Sequence, residues 1–152
     1  MRRALPEGFS LRRAREAELS VLVGLPAEAD SYAVLDLCRA AGTLWTAVDA
    51  RDAPQGFAAA SELDGTLHLV SLRVASAHQG RGLGSALLDA VLDHGRWAFH
   101  PAVTVVTERD GAEGRFLLAR GFLAMRSEAL PIGLRAKVGA GPAGLVAMAR
   151  RL

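Results

Sequence analysis

The sequence of 152 residues contains one cysteine, Cys38, so it can form neither an intrachain disulfide nor a metal site built on several cysteines. Aromatic residues account for only 5% of the chain, so its core must consist mainly of Ala, Val and Leu. Lysine occurs once, at Lys137, and the remaining basic residues are scattered arginines. With a net charge of +2 and no basic block, the sequence lacks the signature of a nucleic-acid-binding protein.

Long apolar runs are also missing. No run reaches the roughly 20 residues of a membrane span, and the N-terminal arginines precede no apolar core of signal-peptide length. We therefore expect a cytoplasmic protein that does not contact membranes. The hydrophobic fraction of 51% and the charged fraction of 22% are typical of a globular domain, which we place at residues 9–152. The abundance of arginine and alanine suggests a bacterial source, by association only.

The apolar pattern of the first half indicates strands and two short helices. Alternation in "FSLRRARE" predicts a first strand, and helical spacing from Ala17 to Ala41 predicts two helices joined by a loop at residues 24–31. The stretches "LWTAVDA", "QGFAAASEL" and "LHLVSLRVA" read as three more strands. The last two are joined by Asp64-Gly65, a dipeptide typical of tight hairpins. Because "LHLVSLRVA" is mostly apolar, we expect it near the centre of the sheet.

The second half alternates strands and helices. The pattern predicts a helix from Ser85 to Ala98, a buried strand in "AVTVVTE" and a short helix from Gly114 to Arg120, with Gly121 as its left-handed cap. Strands in "FLAM" and "GLVAMARRL" complete the sheet, and "SEALPIGLRAKVGAGPA" between them is expected to be irregular. Hairpins followed by a strand–helix–strand crossover predict an α/β fold with a mixed (α+β) sheet, about seven strands and four helices.

Three glycines, Gly80, Gly82 and Gly84, fall within five positions between a predicted strand and a predicted helix. The backbone N–H groups of such a loop and the positive end of the helix dipole can bind a phosphate group. Glycines lack the Cβ atoms that would keep a pyrophosphate at a distance, and Arg81 adds a positive charge. The alternative is a loop that only turns the chain.

Two common nucleotide-binding loops do not fit these residues. A Walker loop needs a lysine and a Ser or Thr after its last glycine, and the sequence from Leu83 to Ser85 does not supply this pair. A Rossmann loop needs a glycine where Ser85 stands and an acidic residue about twenty positions later, where the chain reads "PAVTVV". The remaining nucleotide interpretation is the pyrophosphate of coenzyme A.

The segment "HLVSLRVASAHQGRGLGSALL" resembles the GNAT family of N-acetyltransferases, whose signature is Gln/Arg-x-x-Gly-x-Gly/Ala between a strand and a helix. Residues 79–84 match this signature in full, and "ARGF" resembles the end of the family's fourth helix. The order of elements agrees with the family fold along nearly the whole chain. The resemblance implies that acetyl-CoA binds as co-substrate, with the pantetheine arm along the strand backbone and the pyrophosphate in the loop. The implied cofactor-binding residues are Leu72, Arg73, Val74, Gln79, Gly80, Arg81, Gly82, Leu83, Gly84 and Ser85.

Acyl transfer from a thioester to an amine needs a base, donors for the developing oxyanion and a proton for the leaving thiolate. The family's usual acid, a tyrosine, is absent because Leu117 occupies its position, and the asparagine at the start of that helix is absent too. His68 lies six residues before Val74, where histone-type relatives carry a glutamate base, and an imidazole that titrates near neutral pH suits this role. Glu108 is the second candidate base. The ordinary alternatives are a strand histidine beside the hairpin and a solvated carboxylate.

The resemblance implies an acetyl-CoA-dependent N-acetyltransferase that transfers an acetyl group directly, in a ternary complex, to a primary amine of a small molecule or protein. The alternative is a non-catalytic acyl-CoA-binding or sensing module, which the missing tyrosine and the missing asparagine favour. The acceptor pocket is expected to include Glu28 and Tyr32. We expect no metal ion in the site, and because dimers are frequent in the family, a homodimer is an expected assembly.

Overall fold

The computed structural model describes residues 5–25 and 31–152. All seven predicted strands are present, and there are five helices in the described residues rather than the four expected. The strands are β1 (Ser10–Arg13), β2 (Leu44–Val48), β3 (Pro54–Leu63), β4 (Thr66–Val74), β5 (Ala102–Glu108), β6 (Leu123–Ala124) and β7 (Leu145–Arg151). The helices are α1 (Leu19–Val23), α2 (Tyr32–Ala40), α3 (Leu83–Trp97), α4 (Ala112–Leu118) and α5 (Ile132–Ala140).

The strands form one mixed sheet in the order β1-β2-β3-β4-β5-β7-β6, which confirms the predicted α/β class and the central position of β4. The pairs β1–β2 and β2–β3 are antiparallel. Strands β2 and β3 form a hairpin, whereas the segment with α1 and α2 connects β1 to β2. Strands β4 and β5 are parallel because the long helix α3 returns the chain to the same end of the sheet. Their ladder contains two register pairs, Leu67–Val103 and His68–Thr104. Strand β7 pairs antiparallel with both β5 and β6.

The turn between β3 and β4 is the hairpin that the Asp-Gly dipeptide predicts. Asp64 has φ 54° and Gly65 has φ 78°, the two left-handed residues that a type I′ turn requires. The carboxylate of Asp64 also accepts hydrogen bonds from the backbone N–H groups of Gly133 at 2.9 Å and Leu134 at 3.0 Å. A side chain in the hairpin therefore caps the first turn of α5, a helix that begins about 70 residues later in the chain.

The prediction that residues 127–143 are irregular is wrong, because helix α5 occupies the middle of this segment. Pro131 fits at the helix start, where its missing N–H group costs no hydrogen bond. Asp64 satisfies two of the first N–H groups, and Leu134 is buried in a cluster with Leu130 and Ala147. Tertiary contacts therefore outweigh the low helix propensity of the glycines in this segment.

The chain divides into two compact units. The first takes in the described residues up to Ser61 together with Val70–His94, and its core includes leucines of α1 and α2 packed with Phe57. The second comprises Glu62–Leu69 and Gly95–Leu152, and its core includes the cluster around α5 and β7. Within residues 5–25 and 31–152, no helix is long and apolar enough to cross a membrane. The single domain at residues 9–152 stays a prediction.

Helix α4 ends at Leu118, two residues before the predicted end, and is followed by the predicted left-handed glycine. Gly121 has φ 89°, the left-handed conformation expected of a C-terminal cap. The backbone N–H of Phe122 donates to the carbonyl oxygen of Leu117 at 3.1 Å, which closes the last turn. Both side chains are fully buried. Leu117 is therefore part of the core of the second unit and contributes an apolar side chain at the position where the resemblance implies a tyrosine.

Candidate functional site

The glycine-rich loop follows β4 in the first unit and leads directly into α3. After a short 3₁₀ turn at Ser76–His78, Gly80 adopts φ 78° and Gly82 adopts φ 91°. The side-chain amide of Gln79 donates to the carbonyl oxygen of Val74 at 3.1 Å, which ties the start of the loop to the end of β4. The helix begins at Leu83, two residues before the predicted start, and the loop therefore consists of residues 79–82.

The two left-handed glycines face open space. A Cβ atom added at Gly80 or Gly82 would meet no other heavy atom within 4 Å, so internal packing does not require glycine here. Glycine is needed for the left-handed backbone, and its missing side chain leaves the loop backbone accessible to a ligand. The N–H of Ala86 donates to the carbonyl of Gly82, which is the first hydrogen bond of α3. The N–H groups in the first turn of a helix lie before its first hydrogen bond and point outward from its N-terminal end, where they can bind anions. This arrangement fits the pyrophosphate of coenzyme A.

Arg81 is held beside the loop by two rings. Its guanidinium lies 5.4 Å from the centroid of the Phe9 ring, within the range of a cation–π contact, and 3.2 Å from Nδ1 of His78. The Phe9 and His78 rings meet edge to face at 5.2 Å. The Phe9–His78–Arg81 cluster therefore fixes a positive charge next to the two open glycines, in the position that the sequence suggested for Arg81.

The proposed pantetheine-binding segment, residues 72–74, forms the end of β4 and is half-buried. At this end the neighbouring strand approaches closely, because a Cβ atom at Gly56 of β3 would come within 2.9 Å of the carbonyl oxygen of Arg73. The backbone N–H of Ala75 donates to the carbonyl of Gln55 at 2.8 Å. These contacts hold the last residues of β4 in place where the glycine loop begins. Ser85, the last residue assigned to cofactor binding, is buried in the first turn of α3.

His68 lies in the part of β4 that belongs to the second unit, and its side chain is buried, with 3% of its surface exposed. Its Nδ1 atom forms a hydrogen bond of 3.0 Å with Oγ1 of Thr104, the residue that faces it across the β4–β5 ladder. Burial, with a smaller contribution from the charge of Lys137, lowers the pKa of His68 to about 4. The imidazole is therefore neutral at physiological pH, and it titrates well below the ordinary histidine range.

Glu108 occupies a different place in the second unit. It is exposed at the end of β5, where it lines a cleft of about 280 Å³ together with Glu113 and Leu145. Glu108 is four positions after Thr104 in the sequence, which corresponds to about 13 Å along a strand. Because Thr104 is the register partner of His68, the two candidate bases do not form an acid–base pair. They are alternatives for the same role.

Of the two residues expected in the acceptor pocket, the structure describes Tyr32. Tyr32 is the first residue of α2 and is half-exposed, so its phenol is accessible for contact with a ligand. Ser31 caps this helix by accepting a hydrogen bond of 3.4 Å from the N–H of Val34. Glu28 lies outside the described residues. Among the described residues, no group of three or more His, Cys, Asp or Glu side chains is arranged to hold a metal ion.

Thr104 and Thr66 were not identified from the sequence as site residues, although both belong to the hydrogen-bonded surroundings of His68. Thr66 is two residues from His68 on the same strand, a spacing that places both side chains on one face. Thr104 could not be found in this way, because its position depends on the register of a parallel pair formed across α3. A polar residue inside the apolar run "AVTVVTE" was the only signal available.

Comparisons with known proteins give a consistent result. A sequence model of the acetyltransferase (GNAT) family matches residues 11–122. Among solved structures, N-acetylglutamate synthase from Neisseria gonorrhoeae, in complex with coenzyme A and N-acetyl-glutamate, superposes with a TM-score of 0.82 at 18% identity. That alignment covers 98% of this chain and 36% of the synthase, so the chain spans little more than a third of that protein.

Two shorter proteins match over most of their own length. The yncA protein from Salmonella typhimurium, solved with its cofactor acetyl-CoA, has a TM-score of 0.69 at 18% identity, covering 96% of this chain and 95% of that one. The ribosomal-protein-S18-alanine N-acetyltransferase from Escherichia coli has a TM-score of 0.71 at 16% identity, covering 94% and 93%. At such identities the likeness shows a shared fold.

Proposed function

The chain belongs to the GNAT family of acetyltransferases and is an acyltransferase, and from this premise we propose that it transfers the acetyl group of acetyl-CoA directly to a primary amine. The acceptor is a small molecule or a protein. Two structural relatives are by name an N-acetylglutamate synthase and an N-acetyltransferase of a ribosomal-protein alanine, so both kinds of acceptor occur among proteins of this fold. The transfer takes place in a ternary complex, without an acetylated enzyme.

The observation that carries this proposal is the loop at residues 79–82. Gly80 and Gly82 combine left-handed backbone with open space on the side where a Cβ would stand, and α3 begins at the next residue. A bound pyrophosphate would accept hydrogen bonds from the backbone N–H groups of residues 79–84 and from Ser85, while Arg81 would neutralise part of its charge. The backbone of residues 72–74 would pair with the pantetheine arm as an added strand.

Acetyl-CoA supplies the thioester, and the protein has to supply a proton acceptor for the attacking amine. His68 fits this role because its imidazole is neutral at working pH. A base with a pKa of about 4 cannot deprotonate a free ammonium ion to a useful extent, so the attacking amine must arrive neutral. The N–H protons of this amine become far more acidic as its nitrogen forms a bond to the carbonyl carbon. His68 then takes that proton as the C–N bond forms and the C–S bond breaks. The leaving thiolate is protonated from solvent.

The experiment measures free thiol released from acetyl-CoA in the presence of a panel of primary amines, with the acetylated product identified by mass spectrometry. Release above the rate without protein supports the transferase. His68→Ala should lower kcat by roughly 10²–10⁴-fold with binding of acetyl-CoA unchanged, because a positioned base contributes about this much. Glu108→Gln is the matched comparison, since it removes the other candidate base without touching the loop.

Four outcomes can be separated. Loss of turnover only in His68→Ala assigns the base to His68, and loss only in Glu108→Gln assigns it to Glu108. Normal turnover in both variants leaves proton removal to water. Binding of acetyl-CoA without thiol release with any amine would instead support the non-catalytic module, for which the buried Leu117 in the tyrosine position is the favouring observation. Because Tyr32 is a proposed contact of the acceptor, Tyr32→Ala should raise KM for the amine and leave the binding of acetyl-CoA unchanged.

A further inference from the structure

Three polar side chains form a continuous hydrogen-bonded chain within the second unit. The hydroxyl of Thr66 donates to the carbonyl oxygen of Leu63 at 2.8 Å. Oγ1 of Thr66 lies 3.2 Å from Oγ1 of Thr104, and Oγ1 of Thr104 lies 3.0 Å from Nδ1 of His68. No further hydrogen-bond partner of these three side chains is found within residues 5–25 and 31–152.

Counting protons along this chain gives each bond a direction. A carbonyl oxygen only accepts, so the single hydroxyl proton of Thr66 is used on Leu63. Thr66 can then only accept from Thr104, which uses the single hydroxyl proton of Thr104. Oγ1 of Thr104 has no proton left for His68 and must accept one from it. When all three contacts are hydrogen bonds, the proton of the neutral imidazole is on Nδ1.

We propose that Thr104 and Thr66 are positioning residues that hold the neutral imidazole of His68 as its Nδ1–H tautomer, so that Nε2 is the nitrogen that accepts the proton from the amine. This inference rests on the proposed function of His68 as the base. Thr104 acts by accepting from Nδ1–H, and Thr66 acts at one remove, by occupying the hydroxyl proton that Thr104 would otherwise offer to the ring. If the hydrogen bonds ran in the opposite direction, the ring proton would be on Nε2. Nε2 would then have no lone pair to accept a proton from the amine.

The surroundings of the ring support a fixed, neutral tautomer. The ring is almost completely buried, so a hydrogen bond to Nδ1–H is not in competition with water. The charged groups that act on the ring are Lys137 of α5 and Asp64 of the β3–β4 turn. Lys137 disfavours the imidazolium and Asp64 favours it, and burial outweighs both. The proton count, and not a neighbouring charge, therefore decides which nitrogen carries the proton.

The tautomer is measured by ¹⁵N-edited NMR of protein labelled at its histidine rings, at a pH where His68 is neutral. Assignment of the His68 signals comes from their absence in His68→Gln. In the wild-type protein we expect a protonated Nδ1 and an unprotonated Nε2. A wild-type ring protonated on Nε2 overturns the proposal, whatever the activity of the protein.

Substitutions at Thr66 test the direction of the hydrogen bonds without changing a residue that contacts the His68 ring. Thr66→Val removes the acceptor of the Thr104 proton, and Thr104 is then free to donate to Nδ1, so the His68 signal should shift towards the Nε2–H tautomer. Thr66→Ser keeps the hydroxyl and should retain the wild-type tautomer. Equal tautomer populations in Thr66→Val and Thr66→Ser overturn the role of Thr66. Thr104→Val, with Thr104→Ser as its control, gives the same comparison one bond closer to the ring.

Turnover provides the second readout. Thr66→Val should lower kcat by about twofold to tenfold, because kcat follows the fraction of rings that remain in the Nδ1–H tautomer, and one hydrogen bond changes the tautomer ratio by roughly tenfold. KM for acetyl-CoA should stay unchanged, and Thr66→Ser should restore kcat. If His68→Ala retains full turnover while the wild-type ring is protonated on Nδ1, the proposed function of His68 has failed and the tautomer assignment stands. A tautomer shift in Thr66→Val with unchanged kcat would show that Nε2 is not the reacting nitrogen.

Discussion

The buried neutral state of His68 should make the protein measurably less stable in acid. A histidine in the unfolded chain has a pKa near 6.5, and burial lowers the pKa of His68 to about 4 in the folded protein. Above pH 6.5 neither state binds the proton, so His68 has no effect on the pH dependence. Between pH 6.5 and pH 4 the His68 ring binds a proton in the unfolded state but not in the folded state. The free energy of unfolding therefore falls as the pH is lowered through this window.

The size of the effect follows from the two pKa values. At pH 5 the difference in proton binding removes about 2 kcal/mol from the free energy of unfolding, and below pH 4 the loss reaches about 3 kcal/mol. For a domain of 152 residues, about 1 kcal/mol changes the Tm by roughly 2–4 °C. His68 alone should therefore lower the Tm by about 4–8 °C between pH 8 and pH 5.

Urea unfolding of the wild-type protein and of His68→Gln, each at pH 8 and pH 5, isolates this contribution. The other three histidines and all carboxylates are common to both proteins, so their titration cancels when the pH effect in one protein is subtracted from that in the other. The difference should be about 2 kcal/mol, with the variant less sensitive to acid. A difference below about 0.5 kcal/mol would refute the reasoning, because it would mean that His68 titrates in the folded protein as it does in the unfolded chain.

Three further predictions concern binding and stability. Acetyl-CoA should raise the Tm of the wild-type protein, and Gly82→Asp should abolish this shift by placing a negative charge at the open loop, whereas Gly144→Asp, at an equally open left-handed glycine, should retain it; a full shift in Gly82→Asp contradicts the assignment of the loop. Asp64→Ala should cost about 1–3 kcal/mol in urea unfolding, because α5 loses its cap and alanine disfavours the left-handed φ of 54° at this position. Asp64→Asn tolerates this φ and keeps one acceptor oxygen, so it should cost clearly less, and equal losses would contradict both contributions. Leu117→Tyr should lower the stability by roughly 1–3 kcal/mol because the larger side chain and its hydroxyl enter a packed core, while Leu118→Tyr, at an exposed position, should be near neutral by thermal unfolding.

The parts of the fold that could be predicted are those whose cause is local. The hairpin follows from Asp64-Gly65, because two left-handed residues in succession leave few other turns. The loop conformation follows from Gly80 and Gly82 in the same way. The end of α4 could be predicted because Gly121 stands directly after a helical pattern. In each case the residue that determines the structure is part of the segment it shapes.

Helix α5 and the environment of His68 could not be predicted, because their causes are distant in the sequence. The first turn of α5 is capped by Asp64, a residue from the hairpin. The hydrogen bond from His68 depends on Thr104, which reaches its position only when β4 and β5 pair in one particular parallel register across α3. The sequence indicated that His68 lies on a strand face, but it gave no information on the burial that lowers its pKa.

The absence of the family tyrosine is compatible with catalysis under the proposed mechanism. An acid is needed for a thiolate only if nothing else delivers a proton, and a thiol, with an ordinary pKa near 8.5, is a better leaving group than an alcohol. In that mechanism His68 accepts a proton, and because the pKa of its imidazolium is about 4, the protonated ring is a stronger acid than the thiol by more than four pKa units. Release of the proton from Nε2 to solvent is therefore strongly downhill. The burial that makes His68 a weak base also makes its imidazolium a strong acid, so the ring returns its proton readily to solvent. Solvent protonates the thiolate, and the mechanism needs no tyrosine at the position where Leu117 is part of the core.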